Sequence, residues 1–400
     1  MMEAVLWLTP KVFDDLTDPA PGVAAFFEHY AAYLDGRPVT VVFCPSNGDH
    51  ILGYAGPDHR RDRFDWARYN CYAHGDPGLT RAHNRDWLTR VREGGERSFN
   101  PYSAGPMFTV SEQPMDYEIL AGCYAAIRAE AARRSIAVRL LEYLEPGPEF
   151  CRSEWKTVRH PEVSAGTADA GGHVIPGVLD VTMALHADEN VYAAYPAGVP
   201  EGLPAGDFVA AQTGAYVADF GLDGILLGNQ FGLVGFWDPA RAPAPTPERT
   251  AGVARFFDRM RDALGDRQLY WMDTYWRAEV EMSAWGMPAS AYARMDAVLV
   301  CTFAVLVERT EILPNVRSKA ALGGPRVLYG LDFVDPWYWY RTHLDDRRTY
   351  LYQRELLAGP AAAHVGGFSF FANDTFGHFV PEGPLTETLA VILAAEAPSQ

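Results

Sequence analysis

Gly221-Leu222-Asp223-Gly224-Ile225-Leu226-Leu227-Gly228-Asn229-Gln230-Phe231-Gly232 sets the fold class of this chain. A helix-like run from Asp207 to Phe220 leads into it. The Asp223-Gly224 pair reads as a tight turn, with Asp223 as its turn residue. Ile225 to Leu227 reads as a short, fully apolar strand, the kind covered on both faces in a parallel sheet. Asn229 and Gln230 then follow at the strand's carboxyl end. Helix, turn, buried strand and polar residues form one β/α unit.

The same grammar recurs on both sides. Strand candidates are Glu3 to Leu8, Val39 to Phe43, Ala137 to Leu141, the opening stretch, Leu269 to Met272, Ala297 to Val300, Arg326 to Leu331 and Val365 to Phe371. Helix candidates separate them: Pro21 to Leu34, Met115 to Arg134, Asp207 to Phe220, Pro247 to Leu264, Ala278 to Trp285, Ala289 to Arg294, Asn315 to Leu322, Leu344 to Leu357 and Leu385 to Ala395. Thr246 before Pro247 is a natural N-cap. Eight strands in this alternation predict an α/β fold, a (β/α)8 TIM barrel. A barrel of about 250 residues, with long insertions after strands 2 and 3, accounts for 400 residues in one domain. The insertions span about 45–112 and 146–204, too long to be simple connections. A doubly wound sheet competes less well, since no G-x-G-x-x-G follows any strand.

Composition narrows the function. Lys and Arg number 34 against 51 Asp and Glu, a net charge of −17. Such a chain is a poor partner for nucleic acid or an anionic membrane. Cys44, Cys71, Cys123, Cys151 and Cys301 form no C-x-x-C pair. They read as free thiols in a reducing compartment, the cytoplasm. The start has no basic segment leading into a long apolar one, so no signal peptide is expected. No apolar run is long enough to span a membrane. Whether the chain forms a homo-oligomer is left open.

In a barrel of this kind, chemistry comes from the carboxyl ends of the strands. Those ends carry carboxylates, amides and aromatics. They include Asn47, Asp49 and His50; Glu142 and Glu145; Asn229 and Gln230; Asp273 and Trp276; Asp332, Asp335 and Trp337; Asn373 and Asp374. Lys11, Lys156 and Lys319 are the only lysines; Lys11 lies just past strand one and the other two fall in a loop and a helix, which argues against Schiff-base chemistry. No His-x-His and no later histidine cluster suggests a metal centre, and no cofactor is expected. Carboxylates beside aromatic rings suit glycosidic bond cleavage. One acid protonates the leaving oxygen, and a second carboxylate attacks the anomeric carbon or activates water. Amides pair with sugar hydroxyls and rings stack on sugar faces. Asp273, Asp332 and Glu142 are the catalytic candidates. Asn229, Gln230, Trp276, Trp337, Asn373, Asp374 and His50 are the candidates for contacts to a small carbohydrate substrate.

On these residues the chain resembles the (β/α)8 glycoside hydrolases. Its Gly-Leu-Asp-Gly-Ile-Leu-Leu-Gly-Asn stretch is similar to the Gly-x-Asp-Gly-strand-Asp pattern of dextranase-like barrel glycosidases, which carry a nucleophile at the end of strand four. Asn229 stands where they have Asp. Another large group carries Asn and then a catalytic Glu there; this chain has Gln230. The resemblance therefore implies a glycosidase or transglycosylase, with Asn229 as a substrate contact and the carboxylates on other strands. The alternatives are a non-catalytic carbohydrate-binding barrel and a lyase or isomerase using a carboxylate-bound divalent cation.

Overall fold

The computed structural model describes residues 1–10, 13–34, 36–45, 48–64, 113–144, 164–168, 174–179, 181–185, 200–228, 244–273, 276–301, 309–331, 353–370 and 382–396. The strands are β1 Glu3–Leu8, β2 Val39–Phe43, β3 Arg63–Phe64, β4 Met115–Asp116, β5 Val138–Leu144, β6 Ser164–Ala168, β7 Val174–Leu179, β8 Gly224–Leu227, β9 Gln268–Met272, β10 Ala297–Val300, β11 Arg326–Leu331 and β12 Gly367–Phe370. Eight of them close into a barrel in the order β1-β12-β11-β10-β9-β8-β5-β2. Every pairing around it is parallel. The fold is the expected (β/α)8 TIM barrel. All eight strand candidates are barrel strands, and the opening stretch supplies β8.

The helices are α1 Ala20–His29, α2 Ala31–Leu34, α3 Asp49–Leu52, α4 Tyr117–Arg133, α5 Ala205–Asp219, α6 Pro247–Leu264, α7 Ala278–Trp285, α8 Ala289–Tyr292, α9 Arg309–Ala321 and α10 Glu382–Glu396. Local chemistry sets their ends. Thr246 caps α6, accepting from Arg249 N at 3.2 Å. Asp116 caps α4 through Ile119 N at 2.9 Å. α5 ends on Gly221 in the left-handed region (φ +60°). Leu222 N bonds Val217 O and Gly221 N bonds Ala218 O, the paired bonds of a Schellman closure. The helix expected from Asn315 instead begins at Arg309 and carries Pro314 inside it. β3, in the first insertion, pairs with β4 just after it, and β6 pairs with β7 in the second insertion, both antiparallel. Among the described residues, no helix is long and apolar enough to cross a membrane.

Asp223 and Gly224 make the entry to β8 tight. Asp223 Oδ2 accepts from Leu140 N of β5 at 2.8 Å and lies 3.1 Å from Arg128 of α4. Asp296, just before β10, repeats the arrangement with Leu269 N of β9 (2.8 Å) and Arg261 of α6 (2.7 Å). A Cβ on Gly224 would sit 2.0 Å from Gln268 O, so the strands approach too closely for any side chain there.

Register and contacts tell the barrel's inside from its outside. At the floor, Thr40 and Tyr270 hydroxyls donate to Glu3 Oε1 at 2.6 and 2.7 Å. Arg326 donates to Tyr270 Oη at 2.7 Å and lies 3.4 Å from Glu3 Oε2. These residues belong to β1, β2, β9 and β11, which are not all neighbours and meet only across the interior. Alternation along the strands then turns Trp7, Tyr143, Met272, Gly330 and Ser369 inward, nearer the carboxyl ends. Trp7 Nε1 donates to Ser369 Oγ at 2.8 Å, and the Trp7 and Tyr143 rings meet edge-on at 5.2 Å. The opposite parity faces the helices: Phe43 meets Tyr124, Phe370 meets Tyr33, and Trp271 meets Tyr292.

Candidate active site

Asp273 follows β9 directly and is fully buried. By parity with Trp271 it faces the helix layer, and its partners agree. Oδ1 accepts from Cys301 N, just past β10, at 2.9 Å. Oδ2 accepts from Asn315 Nδ2 of α9 at 2.7 Å, with Lys319 Nζ 3.9 Å away. Lys319 also donates to Glu281 of α7, which accepts from the Tyr292 hydroxyl of α8. The Lys319 ammonium lies 5.1 and 5.2 Å from the Trp271 and Tyr292 ring centroids. Asp273, Glu281 and Lys319 are each 0 % exposed. Burial pushes the Asp273 carboxyl up to about 7; Lys319 opposes that and the Glu281 charge adds to it.

Glu142 occupies a second buried cluster. β5 runs to Leu144, longer than expected, so Glu142 lies within the strand and not past its end. Arg139 of the same strand reaches inward to Glu3. Glu142, three residues on, faces outward. Its Oε1 lies 2.9 Å from His50 Nε2, and its Oε2 accepts from the Tyr124 hydroxyl of α4. Tyr124 and Tyr216 of α5 are hydroxyl to hydroxyl at 2.6 Å. His50, in α3 just past β2, stacks on Phe64 at 5.1 Å and meets Tyr216 edge-on. Burial raises the Glu142 carboxyl; His50 and Tyr124 pull it back. The cluster ties the short elements of the first insertion to the barrel wall.

The described candidates therefore do not meet in one pocket. Asp273 and Glu142 sit in separate clusters on β9 and β5, with β8 between them, and both are turned away from the barrel axis. His50 joins Glu142 and is 1 % exposed. Trp276 is partly buried and packs against the core. Asp332, Asn229, Gln230, Trp337, Asn373 and Asp374 lie outside the described residues. So do Asn47, Glu145, Asp335 and the side chain of Asp49. Cys44, Cys123 and Cys301 are buried and not in disulfides, in line with the expected reduced thiols. Among the described residues no group of His, Cys, Asp and Glu is arranged to hold a metal ion.

Sequence reasoning missed the partners. Asn315, Lys319, Glu281, Tyr292, Tyr124 and Tyr216 come from helix faces, not strand ends. A signal was available. Lys319 falls on the stripe Ile312, Asn315, Val316 of α9, and Glu281 falls on Ala278 and Trp285 of α7, all buried. A charge at an apolar helical spacing marks a buried polar cluster.

No protein family profile and no curated protein sequence matches this chain. Among solved structures, it is similar to catalytic domain 2 of a group II chitinase from Ostrinia furnacalis (10% identity, TM-score 0.45, 100% of this chain and 97% of that one). It is also similar to an endo-1,4-beta-mannanase from Rhizomucor miehei (11%, 0.43, 98% and 94%). An alpha-amylase from Geobacillus thermoleovorans is similar as well (10%, 0.41, 99% and 79%). These proteins are glycoside hydrolases; at such identities the likeness is one of fold.

Proposed function

We propose that this protein hydrolyses or transfers an O-glycosidic bond of a small oligosaccharide or glycoside at the carboxyl-terminal rim of its barrel. One observation carries the reading. The closed parallel barrel has a single rim that receives the segments after all eight strands, and those segments hold the chain's carboxylate, amide and aromatic clusters: Asn229-Gln230, Asp273 to Trp276, Asp332 to Tyr340 and Asn373-Asp374. Beneath the rim, the inward residues Trp7, Tyr143 and Ser369 are uncharged and buried. An uncharged, largely aromatic layer between the charged floor and the rim favours the protonated form of a carboxyl above it, as a general acid requires.

Asp332 is the carboxylate assigned to the reacting bond. Asp332 directly follows β11, which ends at Leu331, and opens the run of carboxylates and aromatic residues from Asp332 to Tyr340. Its partner is a second carboxylate of the rim segments. Asp273 and Glu142, held from outside the strands, are assigned as positioning residues. Asn229, Gln230, Trp276, Trp337, Asn373 and Asp374 are assigned to sugar contacts, and His50 acts through Glu142.

The test is a panel of chromogenic glycosides of both anomers. Turnover of at least one member is expected, with Asp332→Asn lowering kcat by about 100-fold or more. An Asp332→Asn protein that folds and keeps full turnover overturns the assignment. The outward turn of Asp273 and Glu142 favours one second reading, a barrel that binds carbohydrate without cleaving it. Saturable sugar binding with no turnover across the panel would select it.

A further inference from the structure

Elsewhere among the described residues, an ion-paired arginine has a carboxylate of its own, as Arg128 has Asp223 and Arg261 has Asp296. The amino-terminal mouth of the barrel departs from this. Arg139 of β5 and Arg326 of β11 share one carboxylate, that of Glu3. In the closed ring β1-β12-β11-β10-β9-β8-β5-β2, β5 and β11 stand on opposite walls. The two guanidiniums therefore reach Glu3 from opposite sides of the mouth. Their side chains are 39% and 41% exposed, against 4% for Glu3. The set has an excess of one positive charge, in a chain whose net charge is −17.

The hydrogen bonds are equally uneven. Glu3 Oε1 accepts from the Thr40 and Tyr270 hydroxyls at 2.6 and 2.7 Å and meets Arg139 Nη1 at 3.5 Å. Glu3 Oε2 is buried and accepts no hydrogen bond. Its neighbour Arg326 Nη2 lies at 3.4 Å, well beyond the ~2.7–2.9 Å of a charge-assisted bond. Arg326 donates instead to Tyr270 Oη at 2.7 Å and Gln268 Oε1 at 3.4 Å. The mouth thus has surplus N–H donors on two walls and, between them, a buried acceptor that lacks a donor, a costly state. A bare anion would serve the arginines and be repelled by Glu3. An oxyanion that carries an O–H serves both. Its oxygens accept from the guanidiniums, and its hydroxyl donates to Oε2.

We propose that the amino-terminal mouth of the barrel binds inorganic phosphate, held between Arg139 and Arg326 with its O–H donated to Glu3 Oε2. Arg326 turns from its long contact with Glu3 to admit the ion. The ion then joins β1, β5 and β11 across the barrel, on the face opposite the carboxyl-terminal rim. Only the folded chain brings these strands together, so phosphate stabilises the fold by mass action.

This inference does not depend on the glycosidase reading, and its test needs no substrate. Thermal unfolding of the full chain is followed while sodium phosphate, sodium sulfate or methyl phosphate is titrated in at constant ionic strength. Phosphate affinity is measured by calorimetry. Sulfate matches phosphate as a salt excluded from protein surfaces but carries no O–H. Methyl phosphate, whose last proton leaves near pH ~6, carries none on phosphorus at about pH 8. It separates the free ion from a phosphate group on a larger molecule. At that pH a saturable rise in Tm is expected with inorganic phosphate and not with the other two. Arg139→Gln and Arg326→Gln should each weaken phosphate binding by about tenfold or more. Glu3→Gln, which puts an N–H in place of the acceptor, should shift the preference to sulfate. Absence of phosphate binding overturns the proposal. So does equal stabilisation by sulfate or methyl phosphate, the mark of an adventitious ion only. Phosphate affinity left unchanged by Arg139→Gln overturns it as well. That variant removes a half-exposed side chain with one 3.5 Å contact, so it decides the question even where Glu3→Gln does not fold.

Discussion

At the scale of single residues, the opening stretch is decided by Asp223 and Gly224. Gly224 lets β8 close on Gln268, where a methyl group would meet a carbonyl at 2.0 Å. Asp223 supplies an acceptor for Leu140 N at the point where β5 and β8 begin to pair. Removing it leaves that N–H without its acceptor, at a cost of about 1–3 kcal/mol. Asp223→Ala is therefore expected to lower the unfolding free energy by that amount, read as a lower urea midpoint at an unchanged m-value, and Asp223→Asn, which keeps an oxygen, to lower it less. Equal losses for the two would show that the acceptor is not what matters. The turn role of Asp223 was legible in the sequence because Asp-Gly has strong local preferences. Its bond to Leu140, 83 residues away, was not, because no local pattern names a partner on another strand.

At the scale of elements, helix ends follow local chemistry closely. Thr246 and Pro247 at the start of α6 were readable because caps involve neighbours in sequence, and the helix expected to end at Phe220 does so, closed by Gly221. Thr246→Ala should destabilise the chain by about 1 kcal/mol, seen as a fall in Tm with the circular dichroism spectrum unchanged. No fall in Tm would mean that tertiary packing alone holds the helix end. Strand ends were less legible. Ala137 to Leu141 was the expected third strand, while β5 continues through Glu142 and Tyr143 to Leu144. Pairing with β2 and β8 extends it, and pairing is not local. Those three residues decide whether Glu142 projects freely from a strand end or is fixed against helices by the pleat. The structure has it fixed, bonded to His50 and Tyr124.

At the scale of the whole molecule, the two buried clusters make stability depend on pH. Asp273 is raised in the folded protein to about 7 from an ordinary value near 3.8. Between these values the folded state holds a proton that the unfolded chain releases. Stability from this group is therefore full below the unfolded value and falls as pH rises through the window, reaching its minimum above about 7. Urea unfolding of the wild type should show greater stability at pH 5.5 than at pH 8, and Asp273→Asn should flatten that difference. A wild type equally stable at both would contradict a carboxyl raised by burial. By itself, the sequence determined the barrel, the number of its strands and the residue types gathered after them. Those features rest on periodicity, turns and caps, which act over a few residues. Only the tertiary structure decided which way Asp273 and Glu142 face and what they touch. A strand's two faces are distinguished by what packs on each, and that packing is made by helices distant in sequence, through Asn315 and Lys319 on one side and Tyr124 and Tyr216 on the other.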